Sequence, residues 1–303
     1  MLKKKSAICP TCGTRVNENM SGIKEYWYCK KCALGWVKQY QFNPYDDNYY
    51  GGKSLLATII FSPIEEIFYK IRNNYVGKRD TNLWIDVGAG DGGYFRRVNA
   101  KKKIGVEISE SGRKIMKSHG LQTMDTREFL KKDNLNADFI SFWQVLEHVE
   151  NPIDYLKSAE RNIKPRGKII IAVPNHKSFE FAVFGRYWFH LLPQYHIWHF
   201  SLKSLGLLLA KAHLKPESID YWAIEHHLTG VLQSFVNKST ESDSVLHRLL
   251  KRRHNFSTLS LRDIFWITVW CTIGFPIVLL FWIVGAVFHR SGTLVLIASK
   301  NSK

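Results

Sequence analysis

The chain has 303 residues, of which 45% are hydrophobic and 23% are charged, so it can bury a full core and is neither disordered nor fibrous. Its length fits one large domain, or one medium domain with attachments. Its 43 Lys and Arg residues outnumber its 26 Asp and Glu residues, and the net charge of +17 predicts an anionic partner. A phospholipid surface, a nucleic acid and a phosphorylated substrate all meet that description.

The first forty residues carry four of the five cysteines. Positive charge at the N-terminus without an apolar segment after it predicts that there is no cleaved signal peptide, so we expect reduced thiols. The four cysteines form two C-x-x-C turns, a pattern that favours a closed structural zinc site over two disulfides or free thiols. The predicted ligands are Cys9, Cys12, Cys29 and Cys32.

Residues 41–80 are predicted to form a connector and a helical lid, in which Tyr49 and Tyr50 are candidates for covering a cofactor and Pro63 for bending the helix. Beyond residue 80, short apolar runs alternate with helical patterns, which predicts βαβ units and a doubly wound, mostly parallel α/β sheet. Predicted strands lie at 83–88, 103–109, 121–125, 137–143, 167–175, around 218–224 and at 292–300; predicted helices lie at 92–99, 111–119, 126–131, 152–164 and 201–214.

A glycine-rich loop follows the first predicted strand of that sheet. Gly88, Gly90 and Gly93 satisfy G-x-G-x-x-G, which alone is compatible with an NAD-type oxidoreductase. Asp86 precedes the first glycine, and a carboxylate there favours a cationic ligand over a pyrophosphate. Glu107, at the end of the next strand, can accept hydrogen bonds from both hydroxyls of a ribose. The loop therefore predicts a nucleoside cofactor site.

Several motifs together resemble class I S-adenosylmethionine-dependent methyltransferases. The similarity covers most of the chain apart from 225–291, and Arg166 departs from it by replacing a usual glycine. A further segment, PQYHIWHFS at 193–201, is similar to a bacterial subgroup with an N-terminal zinc ribbon. The other motifs are DVGAGDG at 86–92, VEIS at 106–109, FWQVLEHV at 142–149, KPRGK at 164–168 and VPN at 173–175.

The resemblance implies S-adenosylmethionine as the cofactor and a Rossmann-like sheet with an antiparallel last strand. It assigns the methionine end of the cofactor to the residues that begin the loop, the ribose to Glu107 and the neighbourhood of the adenine to Asp125. The fourth strand would end beneath the cofactor. The remaining implied residues are Asp86, Gly88, Gly90 and Gly92 for the methionine end, and Trp143 and Gln144 for the fourth strand.

Histidines are the candidates for a base that removes a proton from the acceptor. His196 is the first choice, because the segment before the 201–214 helix lies over the acceptor pocket in the resembling family. His176 is the second, and His148 is expected to pack against its own loop. His226 and His227 are adjacent and would point apart on a strand, so both cannot be catalytic.

An uncharged apolar run extends from Ile264 to Phe288 and contains Gly274-Phe275-Pro276 near its middle. Each half is too short to cross a bilayer, and the last predicted strand must return to the sheet, so we expect a hairpin that dips into one leaflet. Basic residues at 247–254 and Arg290 suit an anionic surface, so 247–290 is the predicted membrane contact. A buried helical pair or a dimer contact is the alternative.

We therefore expect a methyltransferase on the cytoplasmic side of a membrane, monotopic or peripheral, that acts on a lipid-linked or cell-envelope glycan or a related small molecule. The alternatives are an RNA methyltransferase, an NAD-type oxidoreductase and a non-catalytic binding module. The predicted domains are a zinc ribbon at 1–40, the connector at 41–80, a methyltransferase domain at 81–224 plus 292–303, and an insertion at 225–291.

Overall fold

The computed structural model describes residues 6–39, 66–75, 81–240, 245 and 259–301, without the side chains of residues 225 and 226. The predictions for Tyr49, Tyr50, Pro63 and the basic stretch at 247–254 lie outside the described residues. The chain divides into two compact units. The cysteine unit consists of Met1–Phe42, Pro174–Ser204 and Asp220–Leu294, and the sheet unit consists of Asn43–Val173, Leu205–Ile219 and Val295–Lys303.

The strands are numbered along the chain. They are β1 (Ala7–Ile8), β2 (Arg15–Val16), β3 (Asn19–Met20), β4 (Ile23–Cys29), β5 (Leu34–Val37), β6 (Leu83–Val87), β7 (Lys102–Val106), β8 (Gln122–Met124), β9 (Ala137–Trp143), β10 (Ile163–Pro174), β11 (Trp198–His199), β12 (Leu214–Asp220) and β13 (Thr293–Lys300).

The helices are numbered in the same way. They are α1 (66–74), α2 (Glu110–Ser118), α3 (Thr126–Lys131), α4 (Pro152–Asn162), α5 (Phe179–Phe184), α6 (Leu202–Lys211), α7 (Ile224–Ser239), α8 (Leu261–Cys271) and α9 (Phe275–Val287).

The sheet unit is built on a sheet with the strand order β12-β13-β10-β9-β6-β7-β8, counted within the described residues. The pairs β6–β7, β6–β9, β7–β8 and β9–β10 are parallel. Every residue of β6 is buried, and β9 is nearly as buried, as expected for central strands that have helices on both faces. The predicted doubly wound α/β fold is confirmed, and β13 lies between β10 and β12, as a last strand inserted beside the fifth.

Two predicted elements of this unit differ from the structure. The helix predicted at 92–99 is only a short 3-10 turn, Phe95–Arg97, because Gly92 adopts φ +76°, outside the helical region. The strand predicted around 218–224 lies earlier, at Leu214–Asp220, where it follows α6 directly. The apolar residues around 218–224 indicated a strand, but they did not show at which residue it begins.

The cysteine unit contains a sheet with the order β3-β4-β5-β11. Its fourth strand, Trp198–His199, comes from the segment 193–201 and pairs with β5 through Trp198 opposite Trp36. Around this pairing, residues from Met1–Phe42 and from Pro174–Ser204 form one hydrophobic core. The core consists of Met20, Tyr26, Val37, Phe181, Phe184, Trp188 and Ile197.

Helix α7 replaces the strand that was assumed for His226 and His227. Its buried residues include Val231 and Val236, five apart on the same helix, and its Phe235 ring stacks on Trp270 of α8 with ring centroids 4.1 Å apart. The helical spacing was hidden because polar residues such as Gln233, Ser234 and Asn237 are also buried here. The adjacent histidines therefore lie on a helix, where neighbours diverge by about 100°.

The apolar run forms the bent pair, α8 and α9. The pair bends by 58° at the break after Cys271, and by length and composition the two helices together could form a broken membrane span or a re-entrant loop. Gly274 and Pro276 stand at the predicted break, where proline at the second position of α9 is compatible with a helix start. Within the described residues, no single helix is long and apolar enough to cross a membrane.

Candidate active site

The glycine loop follows β6 directly. Gly88, Gly90 and Gly92 all adopt positive φ, at +73°, +61° and +76°. A Cβ on Gly88 would lie 2.5 Å from Val145, and one on Gly92 would lie 2.8 Å from Met116. Glycine is therefore required here both by backbone conformation and by space. The loop brings main-chain N–H groups to the carboxyl edge of the sheet, where ligands of doubly wound folds bind.

Glu107 links this loop to the end of β7. Its side chain is buried, and its Oε2 accepts a hydrogen bond from the Gly90 N–H at 2.9 Å. Oε1 accepts another from the Ser109 N–H at 2.9 Å. The carboxylate thus holds the loop in place, and it stands at the position that was predicted to receive the ribose hydroxyls.

Asp86 is the buried carboxyl group at the end of β6. Ser141 of β9 donates a hydrogen bond to its Oδ1 at 2.6 Å, and Trp84 Nε1–H donates to the Ser141 hydroxyl at 2.8 Å. Burial raises the pKa of Asp86 to about 7, against the opposing effects of the Ser141 hydrogen bond and the Arg72 charge. A cation brought next to this group would favour its ionised form, which fits a sulfonium ligand better than a pyrophosphate.

Trp143 and Gln144 end β9 beside the loop. Trp143 is buried, and its ring lies 5.9 Å from that of Tyr94. Gln144 adopts φ +55°, and its N–H donates to Ala172 O at 2.9 Å. Positive φ is uncommon outside glycine and costs about 1–2 kcal/mol, so this turn is a strained position at a functional edge. Both residues lie where a cofactor would pass over the strand ends.

Helix α1 supplies residues that the sequence did not single out. The Arg72 guanidinium lies 4.8 Å from the Trp143 ring centroid and 5.1 Å from that of Tyr94. Tyr69 stands next to the loop, with its hydroxyl 3.3 Å from where a Cβ on Gly93 would be. The apolar periodicity of the connector predicted a helix here, but it gave no sign of which polar residues face the site.

Asp125 is the N-cap of α3 and follows β8. It accepts a hydrogen bond from the Arg127 N–H at 2.8 Å and forms an ion pair with Arg113 at 3.1 Å. Its side chain is 38% exposed, so it is available to a ligand at this edge. An N-cap carboxylate also has a purely local role, because it satisfies a free N–H of the helix. Its assignment to the adenine stays a prediction.

The two histidines predicted as bases lie in the cysteine unit, and both are buried. His196 Nδ1 donates to the His190 carbonyl at 2.8 Å. His176 Nε2 donates to the Ala33 carbonyl at 2.9 Å, and burial lowers its pKa to about 4. Each ring is thus oriented by a main-chain carbonyl, which is typical of a structural histidine. Their catalytic roles stay predictions.

Glu147 and His148 follow β9 in the sheet unit. Glu147 is fully buried, and within the described residues neither oxygen of its carboxyl has a hydrogen-bond partner. Burial raises the pKa of Glu147 to about 8, so the group is largely neutral at pH 7. His148 Nε2 lies 4.0 Å from Glu147 Oε1. The contact agrees with the expectation that His148 packs against its own loop.

The four N-terminal thiols meet in a closed cluster. Cys9 Sγ lies 3.9 Å from Cys32 Sγ, and Cys12 Sγ lies 3.6 Å from Cys29 Sγ. All four sulfurs lie within 4.8 Å of one another, and three of the side chains are buried. A tetrahedron with Zn–S bonds of about 2.3 Å has edges of about 3.8 Å, so the cluster has the size and chemistry of a Zn²⁺ site.

The two cysteine turns share one backbone feature. The residue after the second cysteine of each turn has positive φ, Gly13 at +71° and Ala33 at +51°. Each turn can thereby direct two sulfurs to one point, and the second does so at the cost of placing an alanine in the left-handed region. The spacing of the cysteines predicted the cluster, whereas the strained Ala33 had no signal in the sequence.

Comparisons with known proteins agree with this site. A family model described as a methyltransferase domain matches residues 64–219, which is just over half of the chain. The ubiquinone biosynthesis O-methyltransferase of Alkalilimnicola ehrlichii is 27% identical over 160 residues, which cover 48% of this chain and 59% of that protein. The protein of the same name from Marinobacter nauticus is 29% identical over 152 residues, which cover 44% and 63%. The chain thus spans less than two thirds of the length of these curated relatives.

Among solved structures, one chain of the complex between the Haloferax volcanii Trm112 methyltransferase activator and a methyltransferase superposes with a TM-score of 0.51. It is 13% identical, and the match covers 86% of this chain and all of that one, which supports the fold alone. The family match includes β6, the glycine loop and Glu107, to which the resemblance assigns the cofactor. The chain therefore belongs to the methyltransferase-domain family and contains an S-adenosylmethionine-dependent methyltransferase domain.

Proposed function

We propose that this methyltransferase acts at a membrane surface, on a hydroxyl group of a lipid-linked or cell-envelope glycan intermediate or a related lipid-borne molecule. The observation that carries the proposal is the exposed, uncharged apolar face of the bent pair. The O-methyltransferase activity in the names of the two relatives supports a hydroxyl acceptor. The protein would sit on the cytoplasmic side, held by one face and not by a spanning helix.

The exposed face of the bent pair is too apolar to be an ordinary surface. No charged residue occurs between Ile264 and Phe288. Large apolar side chains are exposed along both helices, whereas soluble proteins rarely expose contiguous apolar patches of this kind without a partner. These side chains, with their exposed fractions, are Leu261 (87%), Ile264 (43%), Phe265 (58%), Ile273 (81%), Ile277 (44%), Leu280 (56%), Val287 (55%) and Phe288 (69%).

The polar groups on this face need no water. The Thr268 hydroxyl donates to the Ile264 carbonyl at 2.9 Å, and the Thr272 hydroxyl donates to the Thr268 carbonyl at 2.6 Å. In hydrocarbon, an unsatisfied polar group costs several kcal/mol, so hydroxyls that bond within their own helix suit a lipid environment. The opposite side of the pair packs on protein, with Val278 and Ala286 fully buried.

In the proposed cofactor site, Asp86 and the glycine loop hold the methionine end of S-adenosylmethionine, and Glu107 holds the ribose. Trp143, Gln144 and Asp125 lie along the rest of the cofactor. The support is the position of these groups at the carboxyl edge of one sheet, together with the family match. Arg72, stacked on the Trp143 ring, is a further cation at this edge for the methionine carboxylate.

We also propose that the cysteine cluster holds one structural Zn²⁺, as in the zinc ribbons of the resembling bacterial subgroup. The Sγ–Sγ distances among Cys9, Cys12, Cys29 and Cys32 are close to the edge length of a tetrahedral Zn–S₄ site, which supports this proposal. With four protein ligands the site is closed, so the metal would stabilise the fold and would not take part in the reaction. Strands β1, β2 and β3 have two residues each and cannot supply much folding energy by themselves.

The decisive experiment for the acceptor uses S-adenosylmethionine with a labelled methyl group. The full-length protein is incubated with lipid vesicles that contain extracted lipid-linked glycans, with water-soluble glycans and with RNA. We expect label in the lipid-linked fraction, and only when vesicles are present. Label that enters RNA and no lipid fraction would overturn the proposal and favour the alternative suggested by the net charge of +17.

A further inference from the structure

Two cations from distant parts of the chain meet at the base of the bent pair, inside the cysteine unit. Arg290 follows the end of α9, and its Nε–H donates to the Lys177 carbonyl at 3.3 Å, although the two residues are 113 positions apart. Both side chains are exposed. The predicted membrane contact at 247–290 includes Arg290, but nothing in the sequence linked Lys177 to it.

Neither cation is neutralised by a carboxylate. Among the residues that the structure describes, no ion pair involves Lys177 or Arg290. The Lys177 ammonium lies over the Tyr28 ring, 5.0 Å from its centroid. The nearest carboxylate in sequence, Glu180, is buried and faces His227 Nδ1 at 3.0 Å. Two neighbouring positive charges are therefore left for an anion from outside the chain.

Local helix electrostatics account for only one of the two charges. Arg290 lies soon after the end of α9, where the helix dipole favours a cation. Lys177 lies directly before Ser178, the N-cap of α5, and a cation at the start of a helix gains nothing from its dipole. The place of Lys177 beside Arg290 therefore has no explanation in the helices themselves.

Main-chain hydrogen bonds hold the two cations in place. The Asn175 N–H donates to the Gly292 carbonyl at 2.8 Å, and the Asn175 side-chain amide donates to the Ser291 carbonyl at 2.9 Å. The Phe179 N–H donates to the Arg290 carbonyl at 2.8 Å. The segment before α5 and the segment before β13 are thus joined on both sides of the cations. Because the backbone is already ordered, binding an anion there costs little conformational entropy.

Aromatic side chains lie beside the cations. The His289 ring stacks on Tyr221 with ring centroids 4.6 Å apart. Trp222 is 50% exposed and packs edge-on against Trp282 of α9 at 5.5 Å. Phe288, next in the chain to His289, is 69% exposed. Tryptophan and tyrosine side chains, which have an apolar ring and a polar edge, are typical of the level at which lipid headgroups meet hydrocarbon.

The combination of charge, aromatic rings and exposed apolar surface fits one partner. We propose that this edge of the cysteine unit binds the phosphate headgroups of anionic phospholipids and fixes the level at which the bent pair enters the bilayer. The edge, called the basic rim, consists of Lys177, Tyr221, Trp222, His289 and Arg290. A nucleic acid would use the cations but would leave the apolar face of the bent pair in water. This inference rests on the proposed membrane location.

The first test compares binding of the full-length protein to vesicles with and without anionic phospholipid. A basic residue near an anionic surface changes binding about fivefold, so Lys177→Gln and Arg290→Gln should each weaken binding to anionic vesicles by that factor, and the double variant by about 25-fold. Binding to vesicles of zwitterionic lipid alone should change little. Added salt should reduce the difference between the wild-type protein and the variants, because it screens exposed charges.

Arg15→Gln is the matched control, because Arg15 is exposed in the same unit but lies in β2. An equal loss in Arg15→Gln and Arg290→Gln would overturn the inference and leave net charge as the cause. Equal binding of the wild-type protein to both kinds of vesicle would contradict the basic rim but not the apolar contact of the bent pair. If the wild-type protein binds neither vesicle, the proposed membrane location fails. If the double variant loses RNA binding and keeps vesicle binding, the rim is a nucleic-acid surface.

A second measurement tests the level of the rim in the bilayer. A fluorescent probe is attached at position 222 through Trp222→Cys, in a Cys271→Ser background because Cys271 is the exposed one of the five cysteines. Lipids with a nitroxide on the headgroup should quench this probe more than lipids with a nitroxide deep in the acyl chain. A probe attached through Ile8→Cys, at a residue of β1 that is 64% exposed, should be quenched by neither. Stronger quenching at position 222 by the deep nitroxide, or equal quenching at both positions, would refute the inference.

Discussion

The glycine loop and the cysteine cluster are both formed by turns with positive φ, but different forces hold them. The loop follows β6, whose residues are all buried, and Glu107 fastens it through Gly90. The first two cysteines of the cysteine cluster lie near strands β1 and β2, which have only two residues each, and the Sγ atoms of Cys9 and Cys32 lie 3.9 Å apart. The glycine loop is therefore supported by a large sheet core. We expect the cysteine cluster to depend instead on a metal ion that binds its four thiolates.

This difference tells us which kind of change each region tolerates. A turn held by a sheet core and a buried carboxylate survives the loss of its ligand, because burial of apolar strands is worth about 25 cal/mol per Å² regardless of the ligand. We expect residues 6–39 to have less such burial than the sheet, and therefore to fold together with the proposed metal. The predictions below separate these two modes of support.

The largest effect is expected for Cys29→Ser. Removing one of four thiolates should release the proposed zinc and unfold residues 6–39, because binding of a structural metal contributes directly to the folding free energy of a small module. Metal analysis should show about one zinc per chain in the wild-type protein and much less in the variant. Hydrogen exchange should become fast in β4 and β5 and stay slow in β6 and β9.

Cys271→Ser is the control for that experiment. Cys271 is the fifth cysteine, lies at the end of α8 and is exposed. It should leave the zinc content and the exchange of β4 unchanged. Zinc-free wild-type protein that protects residues 6–39 as well as the zinc-bound protein does would refute the metal-dependent support of the cysteine cluster.

The next largest effect is expected for Glu107→Ala. The variant would lose the proposed acceptor for the two ribose hydroxyls, and it loses the hydrogen bonds that hold the Gly90 and Ser109 N–H groups. Hydrogen bonds to a charged group contribute about 1.5–3 kcal/mol, so we expect the affinity for S-adenosylmethionine to fall about 10–150-fold. Titration calorimetry measures this directly. Glu107→Gln keeps one acceptor oxygen and should lose less, and equal affinity in all three proteins would argue against the assignment.

A smaller effect concerns pH and Asp86. Because the pKa of Asp86 is raised to about 7, the free protein carries a mostly neutral group at pH 6 and an ionised one at pH 8. A sulfonium binds the ionised form better, so affinity for S-adenosylmethionine should rise about tenfold between these values. Asp86→Asn should bind weakly and without this dependence. A wild-type affinity that is flat from pH 6 to 8 would contradict the prediction.

The raised pKa of Asp86 also determines whether the free energy of unfolding rises or falls with pH. The folded protein keeps a proton on Asp86 up to about pH 7, whereas the unfolded chain releases it near 3.8. The folded state therefore binds more protons in that window, and the free energy of unfolding should fall as the pH rises from about 4 to 7. Glu147, raised to about 8, acts in the same direction. Glu147→Gln should flatten the curve in denaturant titrations.

The smallest effect is expected for single charges on the bent pair. Burying a Phe or Leu side chain is worth about 1.5–3 kcal/mol, and about half of each is exposed here, so Phe265→Glu or Leu280→Glu should weaken vesicle binding about three- to tenfold. Ile8→Glu is the matched control, because Ile8 is 64% exposed but lies in β1 and not in the bent pair. Co-sedimentation with anionic vesicles measures the change. An equal loss of vesicle binding in all three variants would mean that the added negative charge, and not the apolar face of the bent pair, explains the effect.

Periodicity and motif spacing predicted the sheet well and the site in part. The strand predicted at 137–143 is β9 without a shift, because a run of buried residues between turn signals has one interpretation in a parallel sheet. The helix predicted at 92–99 was wrong. Apolar spacing carries no information on backbone dihedral angles, and the φ of Gly92 is positive, outside the helical range. Arg72 could not be chosen among the basic residues of its helix, since the face of α1 depends on its packing.

The amino-acid sequence by itself determined the cofactor chemistry of this protein. The order of carboxylate, glycines and second carboxylate is local, and a parallel sheet brings consecutive strand ends to one edge whatever the remaining chain does. The cysteine cluster is also determined locally, because two short turns are enough to bring its four thiols together. Only the tertiary structure decided that Glu180 meets His227, and that β11 completes the sheet of the cysteine unit. These contacts join residues that are far apart in the chain, and no local pattern encodes which of many buried polar groups will pair.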